Sequence, residues 1–356
     1  MHPLAERLQR ARKAAALSLR DAAAHVKISH AAIRKYEQAA SIPSSDILLR
    51  LAEAYNVRIE YFFRPANYTL GAVKFRKRSR LSVKKLHAIE HEILDQIERR
   101  LEIEELCPSL LVKPFRMPRR LPIQVHSMEQ LEVAAAIIRK EWGLGLAPIK
   151  DLVDLLEEHG IRVLMIDVKE IAFDGLAGVV GSNIPIIVVG ASWPGDRQRF
   201  TLAHELGHLI LSDRLHASID EEVASHYFSG AFLLPREILI QELGASRDAI
   251  EMRELELIKE EYGISMQAQC FRLRDIGIIS ESYLRRLLLF FKKQGWTQRE
   301  PGNPYPSEQV HVFERLVLHG FGEGLIGEAK AAELLAMSGE EFRDYRDLRH
   351  ENSTRK

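Results

Sequence analysis

The chain has 356 residues, 46% hydrophobic and 28% charged, which is enough for two or three separately cored domains and argues against disorder. Fifty Lys and Arg cancel fifty Asp and Glu, yet residues 1–89 hold eighteen basic against six acidic side chains, so a polyanion partner is expected at that end alone. The start is charged and shows no secretory signal, no apolar run is long enough to span a bilayer, and Cys107 and Cys270 stand far apart, which excludes a disulfide framework or cysteine-bound zinc and makes the reducing cytoplasm the expected compartment.

Leu4, Leu8 and Ala11 share one face of a first short helix. Ser18 heads SLRDAAAHV with Asp21 three residues on, an acidic variant of the capping box. A turn over Lys27, Ile28 and Ser29 follows, and Ser29 is placed to cap HAAIRKYEQ. Pro43, Ser44 and Ser45 open DILLRLAEAYN, which Asn56 should end, and IEYFFR adds a last short helix. Residues 65–89 carry Lys74, Arg76, Lys77, Arg78, Arg80, Lys84 and Lys85 and no acid. Residues 90–105 read as a charged amphipathic helix, and Pro108, Pro114, Pro118 and Pro122 mark a linker.

From Met128 the pattern changes. LEVAAAIIRKEW and IKDLVDLLEEHG are predicted helices, the second closed by Gly160. IRVLMI, LAGVV and IPIIVV are short runs rich in branched residues and read as strands. One long helix should begin near Gly195 and contain HELGH; another should run from near Asp220 to Pro235. Residues 245–295 read as helical, Pro301, Pro304 and Pro306 mark a second linker, and EAKAAELLAMSGEEFRDY reads as a helix pair. The expected partition is 1–64, 65–122 (basic segment, helix and proline-rich linker), 123–295 and 296–356 (linker and helical tail).

Two helices locked across a short turn can offer one face to a DNA groove. Ala22, Ala23 and Val26 would line the inner face of the first, and Ile33 and Tyr36 that of the second. Ser29, His30, Ala31, Arg34 and Lys35 would then face outwards, with Arg34 and Lys35 able to meet phosphates or guanine edges and Ser29 near a helix N-terminus that suits a phosphate. A helical bundle used for protein contact is the other reading of the same pattern. LSLRDAAAHVKISHAAIRKYE followed by PSSDILLRLAEAYNVRIEYFF resembles an XRE-type, lambda-repressor-like domain over nearly all of residues 4–64. Leu19 departs from it, standing where many such domains carry a glutamine that touches the DNA backbone.

His204, Glu205, Leu206, Gly207 and His208 form an HExxH motif. Histidines at i and i+4 project from one helix face, so both imidazoles can reach one Zn2+, and Glu205 beside them can move the proton of an attacking water. Leu202, Leu206, Leu209 and Ile210 would hold the helix to a core, and Gly207 would leave space beside the metal. The competing reading is a core helix with two structural histidines. A catalytic zinc wants a third protein ligand, and spacing alone leaves Asp213, His216, Asp220, Glu221, Glu222 and His226 open.

FTLAHELGHLIL followed by EVASHYFSGAFLLP resembles the ImmA/IrrE family of metallopeptidase-like proteins, and WGLGLAPIKDLVDLLEEHGIRV, DGLAG, WPGDRQRFT and YGISMQAQCFRLRDIGIIS extend the likeness. The resemblance implies an α+β zincin-like domain with a small sheet and a helical C-terminal region, and it makes Glu222 the third ligand. It also implies a zinc endopeptidase that cleaves a repressor-like protein, in trans or within this chain, to switch genes under stress. Asp196, Arg197 and Arg199, just before HELGH, either orient substrate or brace the fold, and bracing is the expectation. His226, one turn past Glu222, either faces the metal pocket and assists there or is an ordinary polar helix position. The alternatives are a transcription regulator whose metal site only senses or stabilises, and an antitoxin-like protein that works by contact. Double-stranded operator DNA is the expected partner, with a homodimer on paired half-sites.

Overall fold

The computed structural model describes residues 3–15, 17–64, 83–108, 113–167, 173–181 and 183–347, with side chains in the helix beginning at Val83 described from Ile89 onwards. The basic positions Lys74, Arg76, Lys77, Arg78 and Arg80 lie outside the described residues, as do the side chains of Lys84 and Lys85. The chain is mostly helical, with a helix-turn-helix region in front and one small sheet behind it.

The front consists of α1 (Pro3–Ala14), α2 (Leu19–Val26), α3 (His30–Glu37), α4 (Ser45–Tyr55) and a 3-10 turn, Ile59–Phe63. Local chemistry sets each boundary as expected. Ser18 and Asp21 exchange both bonds of a capping box, Ser29 Oγ accepts from the Ala32 amide, and Asn56 closes α4 in the left-handed region. Leu8, Ala22, Val26, Ile33, Leu51, Tyr55 and Phe62 are buried together. Tyr36 and Leu19 are half-buried against that core. Arg12 forks onto buried Glu37 at 2.6 and 2.8 Å, a tie that hydrophobic patterning does not reveal.

Next come α5 (Val83–Leu106), α6 (Met128–Glu141), α7 (Leu152–Glu158), β1 (Arg162–Ile166), β2 (Gly175–Val180) and β3 (Ile184–Gly190). The sheet order is β1-β3-β2, with β3 parallel to β1 and antiparallel to β2. Alternation splits the strands between two cores. Val163, Ile187 and Val189 face α6, α7, α8 (Gly195–Leu211) and α9 (Glu221–Leu233). Leu164, Ile166, Leu176, Ile186 and Val188 face Ile89, Ile93, Ile97 and Leu101 of α5.

The helix expected between residues 90 and 105 is therefore present, begins earlier, and forms the second cover of the sheet. Its charges point inwards as well as out. Arg100 forks onto Glu157 at 3.0 and 2.5 Å and reaches Glu104 at 2.7 Å, while Arg162 of β1 meets Glu104 at 2.9 Å. On the front side, Arg7 of α1 meets Glu98 at 2.5 Å, and Arg64 meets Asp95 at 2.7 Å.

The remainder is helical: α10 (Arg236–Leu243), α11 (Met252–Tyr262), α12 (Met266–Asp275), α13 (Glu281–Gln294), α14 (Val312–Gly322), α15 (Glu328–Leu334) and α16 (Gly339–Arg346). The first four share a core around Leu239, Leu255, Cys270, Leu273 and Phe291. The last three pack Leu316, Val317, Leu334 and Phe342 onto Ile103 of α5 and Cys107 just past its end. The proline-marked stretch near Pro301–Pro306 is a tight strap: the Pro306 carbonyl would stand 2.0 Å from a Cβ on Gly195, so a side chain there cannot be accommodated.

Candidate metal centre and DNA-facing helix

α8 and α9 hold the candidate metal donors. α8 is buried over most of its length because its apolar positions pack on the sheet, and the tight approach of α9 depends on Gly207. A Cβ at that position would lie 3.0 Å from Phe228 Cδ1 and 3.3 Å from Ser225 Cα. The expectation that Gly207 opens room beside the metal is corrected: it lets two helices touch. Gly175 does the same for β2, since a Cβ there would meet Thr201 Cγ2 at 2.5 Å and the Val188 carbonyl at 2.8 Å. Glu205 Cγ lies 3.4 Å from the same point, so β2 forms one wall behind Glu205.

His204 Nε2 and His208 Nε2 are 2.9 Å apart. Glu222 Oε2 lies 3.3 Å from the first and Oε1 lies 3.5 Å from the second. Two imidazole nitrogens that close need a shared proton or a cation between them. A metal about 2.1 Å from each of three donors in tetrahedral array would separate them by about 3.4 Å. The donor set, two imidazoles and a carboxylate, fits a divalent transition metal in kind and in spacing.

His208 is oriented from behind. Its Nδ1 lies 3.3 Å from Glu221 Oε1 and 3.1 Å from Ser225 Oγ. The carboxylate can only accept, so Nδ1 carries the hydrogen and Nε2 the lone pair, the tautomer a metal requires. Asp220 caps α9 by accepting from the Glu222 and Val223 amides at 2.9 and 3.0 Å, which fixes where Glu222 starts. His216 bonds Ser218 and lies against His126, and Asp213 is exposed, so neither joins the cluster. His226 does approach it: donor atoms of His204, Glu222 and His226 lie within 4.8 Å of one another.

The residues ahead of HELGH brace the helix. Arg199 is fully buried, meets Glu308 at 2.5 Å and donates to the Ile149 carbonyl at 2.6 Å. Glu308 also accepts from the Leu152 and Val153 amides at the start of α7, so the strap, α7 and α8 share one carboxylate. Burial pushes the Glu308 carboxyl up, and Arg199 opposes that shift. Asp196 meets Lys259, and Arg197 reaches Asp174 while stacking on Trp193. Sequence reading missed Glu308 and Gly175. An acid behind three prolines carries no local signal, whereas the glycine of DGLAG could have been questioned.

Residues 156–274 match the family model of the IrrE N-terminal-like domain, and residues 3–60 match that of a helix-turn-helix domain. This chain joins a helix-turn-helix domain to an IrrE-like domain. Together the two domains support a DNA-binding regulator. No curated protein matches the chain. A solved Mycobacterium tuberculosis transcriptional regulator is similar at 18% identity and a TM-score of 0.32, over 49% of this chain and 52% of that one; the match therefore spans about half of that regulator. Among the described residues no helix is long and apolar enough to cross a membrane.

In the helix-turn-helix domain, Ser29, His30, Ala31, Arg34 and Lys35 are all exposed on α3 and its cap. The Ser29 hydroxyl is engaged in the cap. α1 turns Arg7 toward α5, whereas Arg34 and Lys35 face solvent.

Proposed function

We propose that the chain is a DNA-binding regulator whose IrrE-like domain acts as a zinc-dependent endopeptidase on a repressor-like protein, either a separate partner or this chain itself. One juxtaposition carries the reading: the Nε2 atoms of His204 and His208 and the Glu222 carboxylate lie within 3.5 Å of one another, with Glu205 beside them on α8. His204, His208 and Glu222 hold the metal, and Glu221 and Ser225 keep the His208 ring turned toward it. When bound, zinc supplies Lewis acidity that makes a water nucleophilic near neutral pH and polarises a carbonyl. Glu205 takes one proton from the attacking water and passes it to the amide nitrogen as the C–N bond breaks.

The DNA-binding unit is residues 1–64, acting in the cytoplasm as a dimer on paired half-sites through Arg34 and Lys35, with Ser29, His30 and Ala31 at the groove. The peptidase unit is 123–295, covered by α5 from within 65–122 and braced by Glu308 from within 296–356.

The test is metal content and cleavage. Wild type should hold about one zinc per chain, and His204→Ala and Glu222→Ala should lose it. Glu205→Gln should keep metal and DNA binding and lose cleavage of a purified repressor-like partner, or of the chain itself. Undiminished cleavage by Glu205→Gln would overturn the assignment. A second reading, a regulator whose metal site senses or stabilises, is favoured by the fourth nearby donor, His226, because structural zinc sites carry four protein ligands. Normal regulation by Glu205→Gln would select it.

A further inference from the structure

We infer that His226 is a displaceable fourth donor to the metal, closing at rest the position that a substrate carbonyl must enter. The inference rests on the metal site proposed above and adds a control element to it. His226 lies one helical turn past Glu222 on α9, so the two share a face. Its Nδ1 is 2.9 Å from the Glu222 main-chain carbonyl oxygen. A carbonyl oxygen only accepts, so Nδ1 holds the hydrogen and Nε2 holds the lone pair. The ring is thereby set in the tautomer of a metal ligand before any metal arrives.

Distance and exposure separate His226 from the other three donors. His204, His208 and Glu222 are mutually within 3.5 Å, and the two α8 histidines are buried. Donor atoms of His226, His204 and Glu222 lie within 4.8 Å of one another, with the His226 ring 4.5 Å from that of His204 and edge-on to it. The His226 ring is exposed, keeps one hydrogen bond to its own helix and lies beside the Phe200 ring. The two α8 imidazoles are therefore fixed by packing, with the half-buried Glu222 carboxylate within 3.5 Å of each, and His226 can swing inwards over a short path. Three protein ligands and an open position make a catalytic zinc site, whereas four make a closed one. A hinged fourth imidazole alternates between these, and a bound peptide carbonyl is the group that displaces it.

The experiment uses full-length protein loaded with Co2+ or Zn2+, comparing wild type with His226→Ala. Azide probes the fourth position through the visible spectrum of the cobalt form, and chelator competition reads zinc affinity. We expect His226→Ala to respond to azide at a concentration at least about tenfold lower, and to lose zinc to chelator at least about tenfold more readily. Unchanged azide response and unchanged chelator resistance would overturn the inference. Weaker zinc binding with the same azide response would overturn it too, because a histidine acting only through its neighbours would do that. If wild type takes up neither metal, the metal site itself fails, a result distinct from the failure of His226 alone. Thermal unfolding of the metal-free proteins should coincide, as the exposed ring contributes little to packing.

Discussion

Replacing Arg100 with methionine tests whether α5 is a cover of the IrrE-like domain or a connector lying on its surface. Arg100 and Glu157 are each 1% exposed, and Glu104 is buried beside them. The guanidinium makes three bonds, at 3.0 and 2.5 Å to Glu157 and 2.7 Å to Glu104. Removing it leaves Glu157 buried without a cation. Glu157 keeps only the Val163 amide at 2.8 Å, and Glu104 keeps Arg162 at 2.9 Å. Breaking a buried pair from one side costs about 3–5 kcal/mol, whereas an exposed pair costs about 0–1 kcal/mol. Against a total stability of about 5–15 kcal/mol, the variant should unfold at a clearly lower urea midpoint. Circular dichroism and tryptophan fluorescence should be followed together, since coincident curves are what license a single free energy. Adding Glu157→Gln to Arg100→Met should restore more than half of the loss, because the amide oxygen can still accept from Val163 and no charge remains buried at that position. A single-variant loss under about 1 kcal/mol would refute the reasoning, showing that water screens the pair.

Gly175→Val should push β2 off Thr201 and Glu205, costing about 1–3 kcal/mol and weakening metal uptake; a variant as stable and as tight as wild type in a zinc titration would show that the contact is slack. Arg34→Ala should leave folding intact and weaken operator binding, lowering the slope of log affinity against log salt by about 0.9 if one phosphate contact is lost, as read by fluorescence anisotropy across a salt series. Burial pushes the His91 imidazole down to about 4 against the pull of Asp95, with Arg7 and Arg10 adding to the fall. A histidine depressed in the folded state takes up its proton more readily when unfolded, so its contribution is complete above about pH 6.5 and is lost as pH falls toward about 4. Urea midpoints measured across that window should fall with pH, and His91→Gln, which can still bond the Tyr61 hydroxyl, should flatten the slope.

The elements that local chemistry can specify were readable in advance. Ser18, Ser29 and Ser44 each satisfy a helix-start amide from their own side chains, and Asn56 takes the left-handed turn that ends α4. Strand runs such as IPIIVV and the i, i+4 histidines depend on backbone periods of two and 3.6, which the residue order states directly. For that reason the helix-turn-helix, the three strands and the pairing of His204 with His208 on one face could be read from residues alone.

Other features depend on what meets across space. Spacing alone left six downstream residues open as the third donor and the family resemblance pointed to Glu222; the helix pairing of α8 with α9, with Asp220 capping, is what brings Glu222 near both Nε2 atoms and Glu221 behind His208. Gly207 was read as room for a metal because a sequence cannot show that Ser225 and Phe228 lie against it. The sequence shows α5 only as a charged amphipathic helix, because helical periodicity reports polarity and not the partner that neutralises it; Glu157 is 57 residues from Arg100. Glu308 is 109 residues from Arg199 and gave no local sign of its role. The sequence by itself determined the two domain types and the local spacing of the candidate donors and helix-turn-helix residues, since those follow from side-chain chemistry at fixed local spacing. Only the tertiary structure decided how closely the Glu222 carboxylate approaches the two imidazoles, which glycines permit close contact and which charges are buried, because each is a property of two chain segments brought together by folding.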